Sequence, residues 1–457
     1  MDRRKFLKYA GAAGAVAGAS ALGLDYVLGP RLGPLSQHTT SLSQTTSASK
    51  INHPPVASFK RKPWYLNPTD QQTIQFTASC YDADNDPLQY GWSVDGNPVS
   101  AQKDYSTRLS TGEHMVQLKI SDGVSEDRFQ QTTTVDPDQI YPMKPLHLRY
   151  KGVRYFAGTV IPEWSGTPNP SNEEMDEQLD TIQNELGCNA IAVCGGRPSE
   201  DRMIECSRMA IEKGFERIFV QPSYVNATVD ETIERIGKFG AKLRGLREMS
   251  DAVVYMVGHE FQLETAIIRG RDWSERFANS NKGIDLDKVA AVYPQMFRRI
   301  IDICKQNYGY PISYAGTPWE LDEDLIPWSN PAFESIGIDA YIHDFLGWNE
   351  DWMIALLNRL KRFKKPVHCA DFGMMSFVDA DKFGGWSPLY AVEYAYDEEP
   401  QARYARRTLD MLNRARIDGC FWVQYNDNWI VGQGLYHPLT RKRKKGFYMY
   451  KSYQRAS

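Results

Sequence analysis

Apolar runs and amphipathic stretches alternate along the chain from about Tyr150 to its end. Glu174–Glu185 and Val289–Gln306 are clear amphipathic segments between such runs. The apolar runs, which are typical of buried parallel strands, begin near Tyr155, Ala190, Arg217, Ala252, Pro311, Ser335, Pro366 and Gly419. Eight repeats of strand and helix predict a (β/α)₈ (TIM) barrel over residues 145–457. A doubly wound sheet is the alternative. The residues after the first run, GTVIP, do not match the glycine-rich phosphate-binding loop expected after the first strand of such a sheet.

A different pattern precedes the barrel. Between about residues 52 and 137, short stretches alternate polar and apolar positions or carry β-branched residues: TIQFTASC, LQYGWSV, HMVQLKISDG and RFQQTTTV. Turn signals such as Asp95-Gly96 and Asp122-Gly123 separate these stretches. The region therefore predicts a small all-β sandwich, residues 52–137, in front of the barrel.

One string within this region, DADNDPLQYGWSVDG at residues 82–96, resembles a PKD/Ig-like domain. Such domains are accessory modules of exported enzymes and surface proteins, and the resemblance implies that Trp92 is the core tryptophan between two sheets. Asp82, Asp84 and Asp86 offer clustered oxygen ligands, which Ca²⁺ favours, and a solvated acidic turn is the alternative. We expect no other cofactor and no catalytic metal, because His and Cys never cluster at ligand spacing.

The first 30 residues have the pattern of an export signal. Arg3 and Arg4 are followed by FLK and then by an Ala/Gly-rich apolar run, Tyr9–Leu24, which resembles a twin-arginine (Tat) signal. We expect a signal peptide over residues 1–30 and a Ser/Thr-rich linker over residues 31–51. The protein would then be extracellular, on the cell surface or periplasmic. An uncleaved anchor is the alternative, although the run of about 16 residues is shorter than the roughly 20 that span a bilayer.

Composition and charge narrow the set of partners. Lys and Arg number 53 and Asp and Glu 57, for a net charge of -4 that becomes -6 without residues 1–30. This balance gives no electrostatic reason to expect a nucleic acid. The 25 Tyr, 19 Phe and 11 Trp indicate either thick cores or stacking platforms for sugar rings. We expect a carbohydrate partner, no membrane span beyond the signal segment, and a monomer.

The cysteine spacing and one basic run each favour a particular structure. The seven cysteines include no C-x-x-C pair, which favours buried free thiols, with a Cys188–Cys194 bridge as the alternative. The run Arg441–Lys445 (RKRKK) predicts a solvated loop before the last helix. Contact with acidic glycans or lipid headgroups is the alternative for this run.

Candidate catalytic side chains lie where the predicted strands end, because barrels present their reactive groups there. Glu260 ends the fourth predicted strand and Asp371 ends the seventh. Glycoside hydrolysis needs two such carboxyl groups: one protonates the leaving oxygen, and the other attacks the anomeric carbon or activates a water. Glu264 is an alternative acid. Substrate contacts are expected from side chains near the same strand ends: His259, Tyr341, His343, Trp422, Tyr314, Trp164, Tyr425 and Asn426.

These strand ends carry a family resemblance. The barrel is similar to the clan A retaining glycoside hydrolases, whose seventh strand ends in apolar-apolar-T-E-F-G where this chain has HCADFG at residues 368–373. Within that clan it resembles most the bacterial barrels labelled "abortive infection protein". That likeness lies in the segments Leu186–Ala190, Gly258–Glu260, Gly337–Tyr341 and Glu399–Tyr404.

The resemblance implies roles for particular residues. Glu260 would be the acid/base, Asp371 would occupy the nucleophile position, Tyr341 would hydrogen-bond that carboxylate, and Trp422 would floor the sugar subsite. On this basis we expect an exported enzyme that hydrolyses glycosidic bonds in a polysaccharide or surface glycan. A catalytically impaired carbohydrate-binding or cell-surface barrel is the alternative. Phage defence, a third hypothesis, follows only from the label, and an export signal argues against it.

Three departures from the clan pattern bear on activity. Asp371 is one methylene shorter than Glu, which withdraws its carboxylate by roughly 1.5 Å. Asp371 could therefore be a compensated nucleophile, a base in an inverting reaction, or a relic. His259 stands where many clan members have Asn. Ala192 stands in place of an Arg that often ends the second strand, and Arg197 is a nearby replacement.

Overall fold

The structure is a computed structural model. It describes residues 52–62, 73–135, 141–158, 169–273, 275–276, 286–309, 311–321, 324–344, 347–383, 395–427, 432–437 and 442–456. The predicted signal peptide, the predicted linker and Trp164 lie outside the described residues.

Two antiparallel sheets form the N-terminal region. Their strands are β1 (Phe59–Lys62), β2 (Ile74–Ala78), β3 (Gln89–Val94), β4 (Asn97–Ser100), β5 (Asp104–Thr107), β6 (Gly112–Ser121) and β7 (Glu126–Val135). One sheet has the order β1-β2-β5, and the other has the order β4-β3-β6-β7. Buried and exposed positions alternate along β2, as expected for a sheet with one face on a core.

Aromatic rings fill the core between these two sheets. Trp92 on β3 is 1% exposed. Its ring centroid lies 5.0 Å from that of Phe59 and 5.9 Å from that of Phe76, both on the opposite sheet. The predicted sandwich fold and the core position of Trp92 are therefore confirmed.

Eight parallel strands form the closed barrel that follows a short strand β8 (Lys144–Leu146). They are β9 (Tyr150–Phe156), β10 (Ala190–Gly196), β11 (Arg217–Ser223), β12 (Val253–His259), β13 (Ile312–Gly316), β14 (Phe333–Asp339), β15 (Val367–Phe372) and β16 (Gly419–Trp422). Each strand pairs with the next along the chain, and β16 pairs with β9. This closure confirms the predicted (β/α)₈ fold and excludes the doubly wound sheet.

Burial on both faces explains the nearly continuous apolar runs. All seven residues of β12 are buried, because one face meets the barrel interior and the other meets the helices. Inside the barrel, small and large side chains pack together into a filled core. The interior cluster comprises Tyr150, Ala190, Ala192, Cys194, Phe219, Val254, Met256, Ala315, Ala370 and Phe421.

Helices cover the outside of the barrel. They are α1 (Asn172–Asp180), α2 (Glu200–Glu212), α3 (Val229–Met249), α4 (Phe261–Glu264), α5 (Leu286–Asn307), α6 (Glu350–Leu360), α7 (Ala380–Phe383), α8 (Glu399–Ala415) and α9 (Lys445–Ser452). A capping box starts α1: Ser171 Oγ accepts the Glu174 N–H at 3.2 Å, and the Glu174 carboxylate accepts the Ser171 N–H at 2.8 Å. The two predicted amphipathic segments lie on α1 with the turn after it and on α5.

Sequence and structure differ at the first and last barrel strands. β9 begins at Tyr150, before the predicted start at Tyr155, because Lys151 and Arg154 lie inside the strand and interrupt its apolar pattern. β16 ends at Trp422, earlier than the apolar run suggested. The two charged residues of β9 are buried, so their charges must be compensated within the fold.

Residues 443–445 of the basic run near the C-terminus are packed into the fold. The short strand β18 (Lys442–Arg443) pairs with β17 (Tyr436–His437), Lys445 begins helix α9, and a last strand β19 (Tyr453–Arg455) pairs with β8. Arg443 binds Glu185 at 2.8 Å, Lys444 forms an ion pair with Asp427, and Lys445 pairs with Glu399. The predicted solvated loop is therefore wrong for these three residues.

Two further expectations concern cysteines and membrane spans. All seven cysteines are free, and all but Cys80 are buried, so the Cys188–Cys194 bridge does not form. Among the described residues, no helix combines the length and the apolar character that a bilayer crossing needs.

The Lys444–Asp427 pair predicts a large stability effect. Lys444 is 0% exposed, and its Nζ also donates to Ser376 Oγ at 2.9 Å and to the Gly432 carbonyl at 3.0 Å. Lys444→Met leaves Asp427 as a buried unpaired carboxylate, so we expect a loss of about 3–5 kcal/mol in unfolding free energy. Lys445→Met removes a more exposed pair and should cost less than about 1 kcal/mol. Denaturant unfolding measures both, and equal losses would contradict the assignment.

Candidate active site

Four barrel strands direct charged side chains to one point at the C-terminal mouth of the barrel. Arg154 lies on β9, His259 ends β12, Asp339 ends β14, and Asp371 lies near the end of β15. Asp339 and Asp371 are directly paired in the register of β14 and β15. Because the strands are parallel, residues that end them meet at the same rim.

Asp371 is bound on both of its oxygens. Arg154 forms an ion pair with Oδ2, and the Tyr341 hydroxyl donates to Oδ1 at 2.7 Å, the contact that the family resemblance implies. His259 Nε2 lies 3.5 Å from Oδ2. The pKa of Asp371 is raised overall: burial is the main cause and Asp339 adds to it, while Arg154, His259 and the Tyr341 hydrogen bond oppose the rise. The carboxylate is thus desolvated but held by two cations and a hydroxyl.

His259 lies among three carboxyl groups. Its Nε2 is 3.1 Å from Asp339 Oδ1, and its Nδ1 is 4.0 Å from Glu264 Oε1. Burial lowers the pKa of His259, but the charge and hydrogen bond of Asp339 dominate and raise it to about 10. His259 is therefore an imidazolium at neutral pH, a second cation beside Arg154.

Glu260 follows His259 in a left-handed backbone conformation, with φ 43° and ψ 54°. Non-glycine residues adopt this conformation rarely, and such residues cluster at functional sites. Burial raises the pKa of Glu260 well above its ordinary value, and the charges of Asp339, Glu320 and Asp371 add to this while His259 opposes it. Glu260 therefore holds its proton more tightly than an ordinary glutamate does.

Two more buried acids surround this centre. Glu264 accepts a hydrogen bond from Ser223 at 2.9 Å, and burial raises its pKa to about 7. Glu320, after β13, accepts from Thr317 N at 2.8 Å, Thr317 Oγ1 at 2.9 Å and the Tyr314 hydroxyl at 3.1 Å. Neither acid forms a contact with Arg154 in the described part of the chain, so the ion pair is specific to Asp371.

The donor set at the centre does not suit a divalent cation. His259, Asp339 and Asp371 offer ligand atoms within 4.8 Å of one another. Arg154 and the protonated His259 already neutralise the two aspartates, and a metal would have to displace both positive charges. The site is therefore electrostatically complete without a metal.

The aspartates of the sandwich are a separate cluster. Asp82, Asp84 and Asp86 also have ligand atoms within 4.8 Å of one another. Asp82 Oδ1 accepts the backbone N–H groups of Asp84 at 2.9 Å and Asp86 at 3.0 Å, while Oδ2 is buried without a hydrogen-bond partner among the described residues. Structural Ca²⁺ at this turn stays a prediction.

Three of the expected substrate-contacting aromatic residues are fully buried: Trp422, Tyr425 and Tyr314. Trp422 packs on Phe372 and donates its indole N–H to the Gln433 carbonyl at 2.8 Å. Tyr425 stacks on Tyr436. Their role as substrate contacts stays a prediction, because these rings expose no surface in this conformation.

His343 and Asn426 are the remaining expected substrate contacts. His343 lies beside Tyr341, with ring centroids 6.3 Å apart, and its ring meets Trp348 at 5.7 Å. Asn426 donates to the Gln178 side chain at 2.8 Å. The structure thus brings His259, Tyr341 and His343 to the mouth together with Glu260 and Asp371.

Two residues of the centre were given no role from the sequence. Arg154 precedes the predicted start of the first strand at Tyr155, so it was given no place in that strand. A charged residue next to an apolar run can indicate a buried partner of opposite charge. Arg154 forms the ion pair with Asp371, and the side chain of Arg197, the nearby replacement for the missing arginine, is not among those described. Asp339 was part of a noted segment, but nothing in its spacing showed that it would contact His259.

Comparison with known proteins concerns the fold. No family model and no curated protein sequence matches this chain. It is similar to the β-glucuronidase of Parabacteroides merdae at 10% identity and a TM-score of 0.45, over 89% of this chain and 54% of that one. An endoglucanase from Clostridium acetobutylicum, described as GH5-4 and of broad specificity, is 12% identical with a TM-score of 0.42, over 66% of this chain and 96% of that one.

The N-terminal region has a partial likeness of its own. The PKD1 domain of Vibrio anguillarum Epp is 22% identical with a TM-score of 0.16, over 19% of this chain and 98% of that one. The chain spans about half the length of the β-glucuronidase. At these identities the likenesses concern architecture, and the chemistry must be argued from the side chains themselves.

The raised pKa of His259 predicts a pH-dependent stability. Between pH 6.5, the ordinary pKa of histidine, and about pH 10, the folded state binds a proton that the unfolded state releases. The stabilisation is complete below pH 6.5 and is lost as pH rises through 10, on the order of 1.4 kcal/mol per pKa unit. Melting temperatures of wild type and His259→Asn should therefore converge toward pH 10. A constant difference from pH 6 to 10 would contradict the imidazolium.

Proposed function

We propose that the barrel is a glycoside hydrolase in which Glu260 protonates the leaving oxygen and Asp371 is the second carboxylate. The observation that carries the proposal is the unequal environment of these two groups. Asp371 has an arginine ion pair and a tyrosine hydrogen bond, whereas burial and neighbouring negative charges hold the proton on Glu260. Pairs of carboxyl groups with separated proton affinities take the acid and base roles in this chemistry.

Glu260 suits the acid step because it is neutral before the reaction. A glycosidic oxygen needs a proton as its bond to the anomeric carbon breaks, and a carboxylic acid with a raised pKa delivers it near neutral pH. When Glu260 becomes a carboxylate, the imidazolium of the adjacent residue, His259, stabilises that negative charge and so lowers the pKa of Glu260. His259 thus favours the charge that the step creates.

Asp371 suits the role opposite the acid because Arg154 keeps it ionised. As an oxocarbenium-like sugar develops positive charge, a carboxylate beside it stabilises that charge, whether it then forms a bond or activates a water. The mouth also presents an aromatic series: Trp319 lies 5.5 Å from Trp348, which meets His343. Aromatic faces beside a carboxylate suit the apolar faces of sugar rings.

A non-catalytic carbohydrate-binding barrel is the second candidate. One specific observation favours it: both oxygens of Asp371 already have partners, and the side chain is one methylene shorter than the family pattern. Asp371→Glu separates the two candidates. Activity that appears only in this variant would support a binding protein with a decayed site.

Removal of the acid should abolish hydrolysis. We expect Glu260→Gln to lower kcat/KM by at least about 10²–10⁴-fold, because the amide cannot deliver the proton. Glu264→Gln, a matched change four residues later, should retain activity within about tenfold. Release of reducing sugar from a panel of β-linked glycans measures both. A Glu260→Gln enzyme as active as Glu264→Gln would falsify the assignment.

The same panel yields the stereochemical outcome. NMR of the first-formed anomer shows retention if Asp371 is a nucleophile and inversion if it activates a water. No hydrolysis of any glycan by wild type or by Asp371→Glu would overturn the enzyme proposal.

We further propose that the protein is exported by the twin-arginine route, as Arg3 and Arg4 with the apolar run after them suggest. Replacing both arginines with lysine should keep the protein in the cytoplasm of its host, because the paired guanidinium groups are the recognition feature. Cell fractionation with an antibody to the barrel measures the distribution. An unchanged distribution in the double variant would count against this route.

A further inference from the structure

We propose that Tyr314 and Glu320 are positioning residues that hold the left-handed turn carrying Glu260; the inference rests on the role of Glu260 proposed above. Neither side chain is exposed, and neither touches Arg154 or Asp371 in the described contacts. Tyr314 lies in the middle of β13 and Glu320 lies four residues after its end; β13 pairs with β12, the strand that Glu260 directly follows. They act on Glu260 through the backbone of the residue that follows it.

The turn needs support because its conformation is unfavourable. Glu260 has φ 43°, a region in which a side chain crowds its own backbone. Its own N–H donates to the Ala315 carbonyl at 3.1 Å. On the other side, the Phe261 N–H donates to the Tyr314 hydroxyl at 2.9 Å. The left-handed residue is therefore fixed between two hydrogen bonds to β13 residues.

Glu320 orients the tyrosine hydroxyl. A carboxylate only accepts, so the Tyr314 O–H proton points at Glu320 Oε1, 3.1 Å away, and an oxygen lone pair is left for Phe261. Glu320 is held in turn by Thr317 N and Oγ1 and by the Tyr293 hydroxyl. With this many donors aimed at it, the carboxylate has a single orientation.

Packing adds rigidity to the same group. The Tyr314 ring lies 4.9 Å from the ring of Phe261 and 5.0 Å from that of Phe297. Gly258 allows this approach, because a Cβ there would meet the Phe261 ring at 2.1 Å. The turn, the tyrosine and the glutamate thus form one buried unit behind the acid.

Glu320 also acts on Glu260 through its charge. The groups that face Glu260 are His259 on its own strand, Asp339 on β14, Asp371 on β15 and Glu320 after β13. Glu320 is the one of these that lies behind the turn rather than with Arg154 at the mouth. The negative charge of Glu320 raises the pKa of Glu260, so neutralising Glu320 should lower the pKa of Glu260.

Amide exchange at Phe261 tests the positioning directly. In protein labelled with ¹⁵N-phenylalanine, Tyr314→Phe should speed hydrogen exchange of the Phe261 amide by about tenfold or more, since its acceptor is lost. Tyr308→Phe is the matched control: that buried hydroxyl donates to the Val253 carbonyl at the other end of β12. It should leave Phe261 exchange unchanged. Equal effects from both variants, or none from either, would overturn the proposal.

Steady-state kinetics provide a second test of the positioning role. We expect Tyr314→Phe to lower kcat about tenfold or more with KM changed less than about twofold, because the turn orients the acid and not the bound sugar. Glu320→Gln, which keeps an acceptor for Tyr314, should shift the basic limb of the kcat/KM profile down by about one pH unit. A limb that does not move, or moves up, contradicts the charge effect.

The two proposals fail in distinguishable ways. Exchange at Phe261 is measured without substrate, so it decides the positioning even if no glycan is hydrolysed. Unchanged exchange in Tyr314→Phe, together with lost activity in Glu260→Gln, would overturn the positioning and leave the enzyme proposal standing.

Discussion

The buried ion pair of Arg154 and Asp371 is the interaction on which the rest of the site depends. An isolated carboxylate at this depth would be expelled or protonated, since its desolvation costs more than a hydrogen bond returns. The guanidinium beside Asp371 lowers the pKa of that carboxyl and so opposes the rise that burial and Asp339 cause. Burial is the main cause of the raised pKa of Glu260, and the charges of Asp339, Glu320 and Asp371 add to it, so the ion pair is one contribution to the difference between the two carboxyl groups.

The barrel is what allows five acids and two cations to converge. Parallel strands end at one rim, and the register of β14 and β15 sets Asp339 beside Asp371. Asp339 in turn holds His259 as a cation, which balances the second aspartate. Arg154 and His259 therefore place two positive charges beside Asp339 and Asp371, and the remaining acids lie around these four residues. This pairing of opposite charges offsets the cost of desolvation, so the site can remain folded. The low dielectric of the buried site strengthens each electrostatic interaction within it.

The amino-acid pattern predicted the architecture well and the site only in part. Nearly continuous apolar runs identify strands buried on both faces, which is why eight of them predicted the barrel. The same rule misplaced β9, because Lys151 and Arg154 are charged yet buried, and their partners are distant in sequence. Lys444 was expected in solvent for the same reason: its partner Asp427 is recognised only once the chain has folded back. Glu260 and Asp371 could be predicted as candidates because strand ends are recognisable in the sequence, whereas Asp339 and Glu320 required the contacts themselves.

Protonation at the barrel mouth is the central claim, and a neutron structure near pH 7 tests it most directly. The account predicts deuterium on a Glu260 carboxyl oxygen, none on either oxygen of Asp371, and deuterium on both ring nitrogens of His259. A bare Glu260 carboxylate, a protonated Asp371 or a neutral His259 would contradict it.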